Sequence, residues 1–343
     1  MPPRSSGSTS PRRAAARPPS VPRQLAAIEQ DGGDGELRFA DGATLAVTSL
    51  DKPFFPAVGL TKGGLMRYYA RVAPALLPAI DGRPLALKRH PDGVAGAAFF
   101  QHDPGRAPPA ATRVAEVPVE HGGREPRYVG GDLATLLQTV QLGAIAVNAW
   151  HSRVGALDRP DYCVLDLDPM PEASFARVAA VAGRVRAALA EAGLHAALKT
   201  SGSRGVHIVL PLPGGTSYDE SAALAEALAA QVAAAHPDAA TVERALAARG
   251  PEQVYVDHMQ NARGKTLASV FSVRARAAAP VSTPLTWRQL ARVGFDPGAF
   301  TAATVPGRLS RLAAHWRLGL ERPNPAAAIA RTVDGGRARQ RHR

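Results

Sequence analysis

The sequence predicts an α+β fold whose second half is a split βαβ unit of the ferredoxin or RRM type, and three observations carry the prediction. From residue 162 onward the elements follow in the order β-α-β-β-α-β. The two long apolar-periodic stretches in that run are punctuated, one ending at Gly193 and the other before Pro237. The chain has 343 residues, 45% of them hydrophobic, which is ample for a core.

Taken in order, residues 1–23 are rich in Pro, Ser and Arg and read as a disordered basic tail. "GELRFADGATLAVTS" reads as a hairpin turning at Asp41-Gly42. "TKGGLMRYYARVAPALLPAI" predicts a helix with Thr61 as N-cap. "RPLALKRHPDG" is a short strand running into a turn, and 110–130 holds one or two further strands. "DLATLLQTVQLG" is a helix with Asp132 near its start and Gly143 at its end, and "AIAVNAW" is a strand. These pieces form an N-terminal α/β part, 24–150, followed by a catalytic part, 151–305. In the second part, strand 162–167 leads to helix 174–192, strand 195–199, the turn "SGSRG" and strand 206–210. Helix 218–236 and strands 253–258 and 267–274 follow, and 306–343 is an extension with a basic tail.

The net charge of +12 is concentrated at the ends. Residues 1–23 and 331–343 carry +5 and +4, leaving +3 for 24–330. Such tails either hold polyanions nonspecifically or are simply solvated. A single cysteine, Cys163, excludes an intrachain disulfide and a cysteine-rich zinc site, and fits a reducing cytoplasm. No segment reads as a secretory signal or a membrane span.

"YCVLDLDP" places Asp166 and Asp168 on one face of a buried strand, because side chains alternate with period two. In the split βαβ topology the first strand neighbours the fourth and the third. Asp257 of "VYVDHMQN" and His207 of "SRGVHIVL" therefore gather beside them. Clustered carboxylates repel one another unless cations bind between them, and oxygen ligands suit Mg²⁺ or Mn²⁺. Two such ions suit phosphoryl transfer, with a nucleoside triphosphate as the matching substrate. A lone D-x-D is weak evidence; the expected sheet geometry strengthens it.

A triphosphate needs donors. The turn holding Ser201 and Arg204 offers backbone N–H groups and a guanidinium, although short Gly/Ser turns are usually plain hairpins. "FSVRARAAAP" puts Arg274 and Arg276 on one strand face, and "LKRHPDG" supplies Lys88; solvated side chains would look the same. Of Phe99 and Phe100 in "AAFFQHD", one faces outward in a regular strand and suits base stacking, whereas a core role for both is the plainer reading. Lys52 and Lys62 flank a short loop that suits a phosphate.

These segments together, with "NAWHSR" and "SLDKPFFPAVGLTKGGLMRYYARVAPALLP", resemble the polymerase domain of bacterial ligase D, within the archaeo-eukaryotic primase superfamily. The resemblance covers roughly residues 45–305 with several motifs in register. It implies a primase-polymerase fold and a template-dependent nucleotidyltransferase that extends primer ends at breaks and short gaps in nonhomologous end joining, uses Mn²⁺ well and often prefers ribonucleotides. It implies Asp166, Asp168 and Asp257 as ligands of two metal ions, with Asp257 helping to activate the primer 3′-hydroxyl. Ser201, Arg204, His207, Lys88 and Arg274 would contact the nucleotide, with Arg276 a weaker candidate. Phe99 and Phe100 would pack on template bases. Lys52 and Lys62 would hold the 5′-phosphate of a gap.

Some positions depart from that family's pattern. Asn148 stands where His is usual, Arg204 where Lys is usual, and Ser49 opens the 5′-phosphate loop in place of Asn. Arg249 sits one residue further from Asp257 than usual. The chain shows no K-x-D-G ligase motif, so a ligase, and with it the Ku end-binding protein, would be partners in trans. Competing readings are a metal-dependent nuclease, a DNA-end binding module with a decayed site, and a primer-making or gap-filling role in replication or excision repair.

Overall fold

A computed structural model describes residues 18–118 and 122–341 of the chain. The second half is organised by a six-stranded sheet in the order Ala240–Thr241, Val254–Asp257, Tyr162–Pro169, Val206–Pro211, Ala197–Thr200, Pro284–Leu285. Its four central strands have the neighbour relations expected of the split βαβ unit. All pairings are antiparallel except that of Ala240–Thr241 with Val254–Asp257.

Alternation along Tyr162–Pro169 divides its side chains between two environments. Cys163, Leu165 and Leu167 are fully buried in the main core, together with Val181 and Val185 of helix Phe175–Glu191 and Leu224 and Leu228 of helix Tyr218–Ala235. Burying each Leu contributes roughly 1.5–3 kcal/mol, so this face is the one the fold cannot expose. The other face is thereby left to Val164, Asp166 and Asp168. The two helices start where the sequence supplies caps: Ser174 Oγ accepts from Arg177 N–H, and Ser217 and Glu220 form a reciprocal capping box.

In the first half, helix Lys62–Ile80 begins at Thr61, whose hydroxyl accepts from Gly64 N–H. A four-stranded sheet runs Thr266–Ala268, Asn148–Trp150, Leu85–Arg89, Phe99–Gln101. The expected hairpin is present as Gly35–Arg38 and Thr44–Val47, the 110–130 strands as Val114–Pro118 and Arg124–Tyr128, and helix Leu133–Gln141 is capped by Asp132. Residues of both the 24–150 and the 151–305 parts, such as Leu65, Leu76, Leu165 and Val206, belong to one continuous core.

Three expectations are corrected. Residues 21–23, read as tail, open helix Val21–Gln30; Pro22 suits its first turn, Leu25 is fully buried, and the Gln24 amide pairs with both backbone groups of Arg38. Residues 1–17 of that tail lie outside the described residues. At the other end the basic segment is not a loose tail. It is helix Ala326–Arg341, seated on Tyr218–Ala235 through Ala328, Ile329, Thr332 and Gly336. Finally, the 267–274 strand is only Thr266–Ala268, and it joins the four-stranded sheet rather than the six-stranded one. Beyond it the backbone is claimed by helix Lys62–Ile80: Tyr68 OH donates to Phe271 O (2.8 Å), and Tyr69 OH accepts from Val273 N–H (3.0 Å). Phe271 is left-handed at φ 63°, and beyond it the segment makes only an isolated antiparallel bridge, Val273 with Val281, instead of a strand. Arg274 and Arg276 therefore lie on an irregular segment, not at period two on a strand face.

Candidate active site

The sheet register sets the site. Asp166 is the direct cross-strand partner of both Asp257 and His207, and His207 is the partner of Lys199. Four neighbouring strands thus contribute one ionisable group each to a single rung, in the order Asp257, Asp166, His207, Lys199. Side chains directly opposed in this way have Cβ atoms roughly 5 Å apart. Asp168 follows two residues on, opposite Tyr255.

Burial is uneven along the rung. Lys199, His207 and Asp257 are buried. Burial, then Asp168 and Asp257, push the Asp166 carboxyl well above the usual carboxylate range. Asp168 is raised by burial and by Asp257, while Arg249, Arg274 and Arg204 pull it back. His207 is pushed well down by burial and by Lys199, so its ring is neutral at pH 7. Asp257 is tied in place: Met259 N–H (2.8 Å) and Tyr255 OH (3.4 Å) donate to its Oδ1, and Gln260 Nε2 (3.0 Å) to its Oδ2. Asp166 Oδ1 is buried without a hydrogen-bond donor; His207 Nε2 lies 3.3 Å away but is not aligned to donate.

Among the described residues, no three His, Cys, Asp or Glu side chains converge tightly enough to hold a metal ion by themselves. The donor set nonetheless fits a hard divalent cation. It offers mutually repelling carboxylate oxygens, one of them buried and orphaned, and a cation would relieve both defects.

Cations arch over the acids. The Arg274 Nη1 donates to Ser201 O (3.1 Å), and its charge acts on both Asp166 and Asp168. Burial lowers the Arg274 pKa and Asp166 offsets this, with Arg276 lowering it further. Arg204 donates to Pro169 O (3.1 Å), the last residue of the acidic strand, and to Pro171 O (3.2 Å) just past it. The Arg249 guanidinium stacks 3.6 Å over the Tyr255 ring while its N–H groups hold Glu243 O and Arg244 O.

The turn between strands Ala197–Thr200 and Val206–Pro211 is tighter than an open anion nest. Ser201 Oγ accepts from both Ser203 N–H (3.1 Å) and Gly205 N–H (3.2 Å), so those two donors are already used. A Cβ at Gly205 would lie 2.1 Å from Leu167 O, so only glycine lets the turn close against the acidic strand.

Lys88 and Asn148 lie on neighbouring strands of the four-stranded sheet and make no hydrogen bond or ion pair with the acidic rung. Phe99 and Phe100 are both exposed, at 47% and 65%, in place of one inward and one outward. Arg89 covers the first ring at 5.3 Å and Lys88 the second at 5.7 Å, which gives an aromatic and cationic surface. Elsewhere, Lys62 is buried at the first position of helix Lys62–Ile80 and donates to Thr48 O (2.8 Å). Burial and Lys52 lower its pKa to about 8. Lys52 pairs with Asp92 (2.7 Å), and Ser49 is left-handed at φ 54° with its N–H on Asp34.

Sequence reasoning missed Lys199, Tyr255 and Gln260. Lys199 was within reach. Ser203 is the midpoint of the Ser201–Gly205 turn, and counting outward from it pairs Lys199 with His207.

A split βαβ sheet carrying an acidic rung flanked by arginines defines the class, an α+β fold of the primase-polymerase type. The LigD primase-polymerase domain model matches residues 61–316, and the chain belongs to that family. It is 34% identical over 296 residues to the multifunctional non-homologous end joining DNA repair protein LigD of Mycobacterium tuberculosis, covering 83% of this chain and 38% of that protein. It is 33% identical over 263 residues to the multifunctional non-homologous end joining protein LigD of Pseudomonas aeruginosa, covering 75% of this chain and 30% of that one. The chain thus spans well under half the length of these relatives. Among solved structures it is similar to the polymerase domain from Mycobacterium tuberculosis ligase D in complex with DNA, with a TM-score of 0.71 at 30% identity, over 79% of this chain and 98% of that one.

Proposed function

We propose that the chain is a template-dependent nucleotidyltransferase that extends primer 3′ ends at DNA breaks and short gaps in nonhomologous end joining. The observation that carries this reading is the acidic rung, Asp166 between Asp257 and His207, facing Arg274 and Arg204. Acids alone would suit hydrolysis as well; cations arranged around them suit a triphosphate whose negative charge must be held while its α-phosphorus is attacked.

Asp166, Asp168 and Asp257 would hold two Mn²⁺ or Mg²⁺ ions, which supply charge stabilisation on the transferred phosphoryl group when bound. Arg274 and Arg204 hold the triphosphate, with Arg249 and Arg276 at its edges, and Ser201 keeps their turn closed. Asp257, fixed by three donors, is placed to receive the 3′-hydroxyl proton as the primer oxygen bonds to the α-phosphorus and pyrophosphate leaves. Lys88 and Asn148 contribute from the second sheet. Phe99 and Phe100 stack on template bases. Lys52 and Lys62, two cations at the positive end of a 19-residue helix, hold a downstream 5′-phosphate, with Ser49 shaping the loop. Ribonucleotides are the favoured substrates, and Ku and an ATP-dependent ligase are the expected partners.

The test is primer extension on a one-nucleotide gapped duplex, with the downstream 5′ end phosphorylated or not. Each NTP and dNTP is offered with Mn²⁺ or Mg²⁺, beside a D166A/D168A control. Templated addition that needs the acids and is stimulated by the 5′-phosphate is the expected result. DNA binding without any addition would favour a decayed end-binding module, and nucleotide release would favour a nuclease.

A further inference from the structure

Lys199, like its neighbour His207, is a member of the rung to which the chemistry above gives no task. It is 1% exposed, on the strand next to His207. Its Nζ lies 2.5 Å from His207 Nδ1, 2.9 Å from Ala268 O and 2.8 Å from Ser282 Oγ. A buried amine is costly unless each of its hydrogens finds an acceptor, and here the acceptors can be counted. Ala268 O only accepts. Ser282 Oγ gives its one proton to Thr200 O (2.7 Å), so toward Lys199 it accepts as well. Burial and then Arg274 push the Lys199 pKa well down while Asp166 pulls it back up; in the ammonium form two hydrogens are consumed, and the third faces His207 Nδ1.

With Nδ1 accepting, the ring proton sits on Nε2, the nitrogen 3.3 Å from Asp166 Oδ1. The opposite arrangement, Nδ1–H donating to a neutral amine, would set the bare Nε2 lone pair against the Asp166 carboxylate. With Asp166 ionised, electrostatics disfavours it.

We infer that Lys199 is a positioning residue that locks His207 as its Nε2–H tautomer, edge-on to Asp166, so that a neutral donor faces the incoming nucleotide. The kinetic consequence rests on the polymerase reading above; the tautomer does not. Sequence distance hides the device, because its anchors come from three separate segments. Ala268 belongs to the four-stranded sheet and Ser282 to the loop before Pro284–Leu285. Lys199 therefore also ties the two sheets together, and a purely structural role is the competing explanation.

The two are separable with the full chain and the variants K199M, H207A, K199M/H207A and S282A. Met has nearly the length of Lys and removes a buried charge, so K199M is expected to fold. In wild type, long-range ¹H–¹⁵N spectra of the imidazoles should show His207 with a protonated Nε2 and a bare Nδ1. In K199M the two nitrogens should become exchange-averaged. In primer extension, K199M should raise the nucleotide KM about tenfold with kcat changed less than about threefold. H207A should do the same, and the double variant should be no worse than either single one, because both remove one interaction. S282A, which keeps the lysine but frees one of its anchors, should shift the same spectrum partway and serves as the readout if K199M fails to fold. A wild-type Nδ1–H signal, a His207 spectrum that neither K199M nor S282A alters, or additive losses in the double variant would overturn the inference. If the wild type incorporates no nucleotide at all, the polymerase reading fails while the spectra still decide the role of Lys199.

Discussion

Asp166 and Asp257 face each other directly across two antiparallel strands, and both are shielded from solvent. Two carboxylates so placed destabilise the apo fold unless a cation lies between them. Asp166→Asn should therefore raise the melting temperature in metal-free buffer, by an amount corresponding to about 1 kcal/mol, while abolishing templated incorporation. Mn²⁺ should stabilise the wild type in proportion to the logarithm of its concentration, by about 2.7 kcal/mol at a hundred times its Kd. It should leave Asp166→Asn/Asp168→Asn unmoved. Differential scanning fluorimetry across a Mn²⁺ titration measures both, and equal shifts for wild type and double variant would sink the metal assignment.

Lys62 provides a pH dependence. Its folded pKa is lowered to about 8 from an ordinary 10.5 by burial and then by Lys52. The folded state thus carries the full cost of a buried ammonium below pH 8. That cost is relieved between about 8 and 10.5, where the folded chain has released the proton and the unfolded chain still holds it, so stability contributed by this group rises with pH there. Phosphate binding runs the other way, because only the charged form attracts the anion. The preference for a 5′-phosphorylated over a 5′-hydroxyl gap should be greatest near pH 7 and decline through pH 8 to 9. Lys62→Met should remove both the preference and its pH dependence. Fluorescence anisotropy with the two gapped duplexes reads it; a preference that stays flat from pH 7 to 9 would count against Lys62 as the phosphate ligand.

Phe99 and Phe100 expose about half or more of their surface, so their removal should leave the core intact. Base stacking is worth roughly 1–3 kcal/mol per base, so Phe100→Ala should weaken binding to a template overhang about fivefold or more, and the double alanine variant further. The melting temperature should stay within a degree of wild type. Loss of DNA affinity accompanied by a large fall in melting temperature would instead point to a structural role.

The central sheet was legible because strand order and side-chain period together dictate which residues meet. Asp166, Asp168, Asp257 and His207 gather on one face by that rule alone. What escaped was set by groups with no local signature. The strand expected over 267–274 stops at Ala268 because the hydroxyls of Tyr68 and Tyr69, some two hundred positions earlier, take the backbone groups of Phe271 and Val273. That also moved Arg274 and Arg276 off a strand. Phe99 and Phe100 are both exposed on a three-residue edge strand, where no second layer covers either side chain. The C-terminal basic end was misread for a compositional reason: an arginine-rich segment reads as solvated, yet a few small apolar residues at helical spacing suffice to dock it.

That docked C-terminal segment is directly testable. Gly336 lies on helix Ala326–Arg341 where it crosses helix Tyr218–Ala235, and a Cβ there would sit 2.6 Å from the Cβ of Ala227. Ala328, Ile329 and Thr332 bury the same face, while Arg331, Arg337 and Arg339 are exposed, Arg339 reaching back to Gln231 Oε1 (3.3 Å). Overpacking a close helix crossing typically costs 1–3 kcal/mol, so Gly336→Val should lower stability by about that much in a urea unfolding experiment. Ending the chain at Pro325 should lower it further, because it uncovers the apolar face of Tyr218–Ala235. Replacing Arg337 and Arg339 with Gln should leave stability within about 0.5 kcal/mol and affect only salt-sensitive DNA affinity. If Gly336→Val were as stable as wild type, the segment would be the solvated tail that its composition suggests.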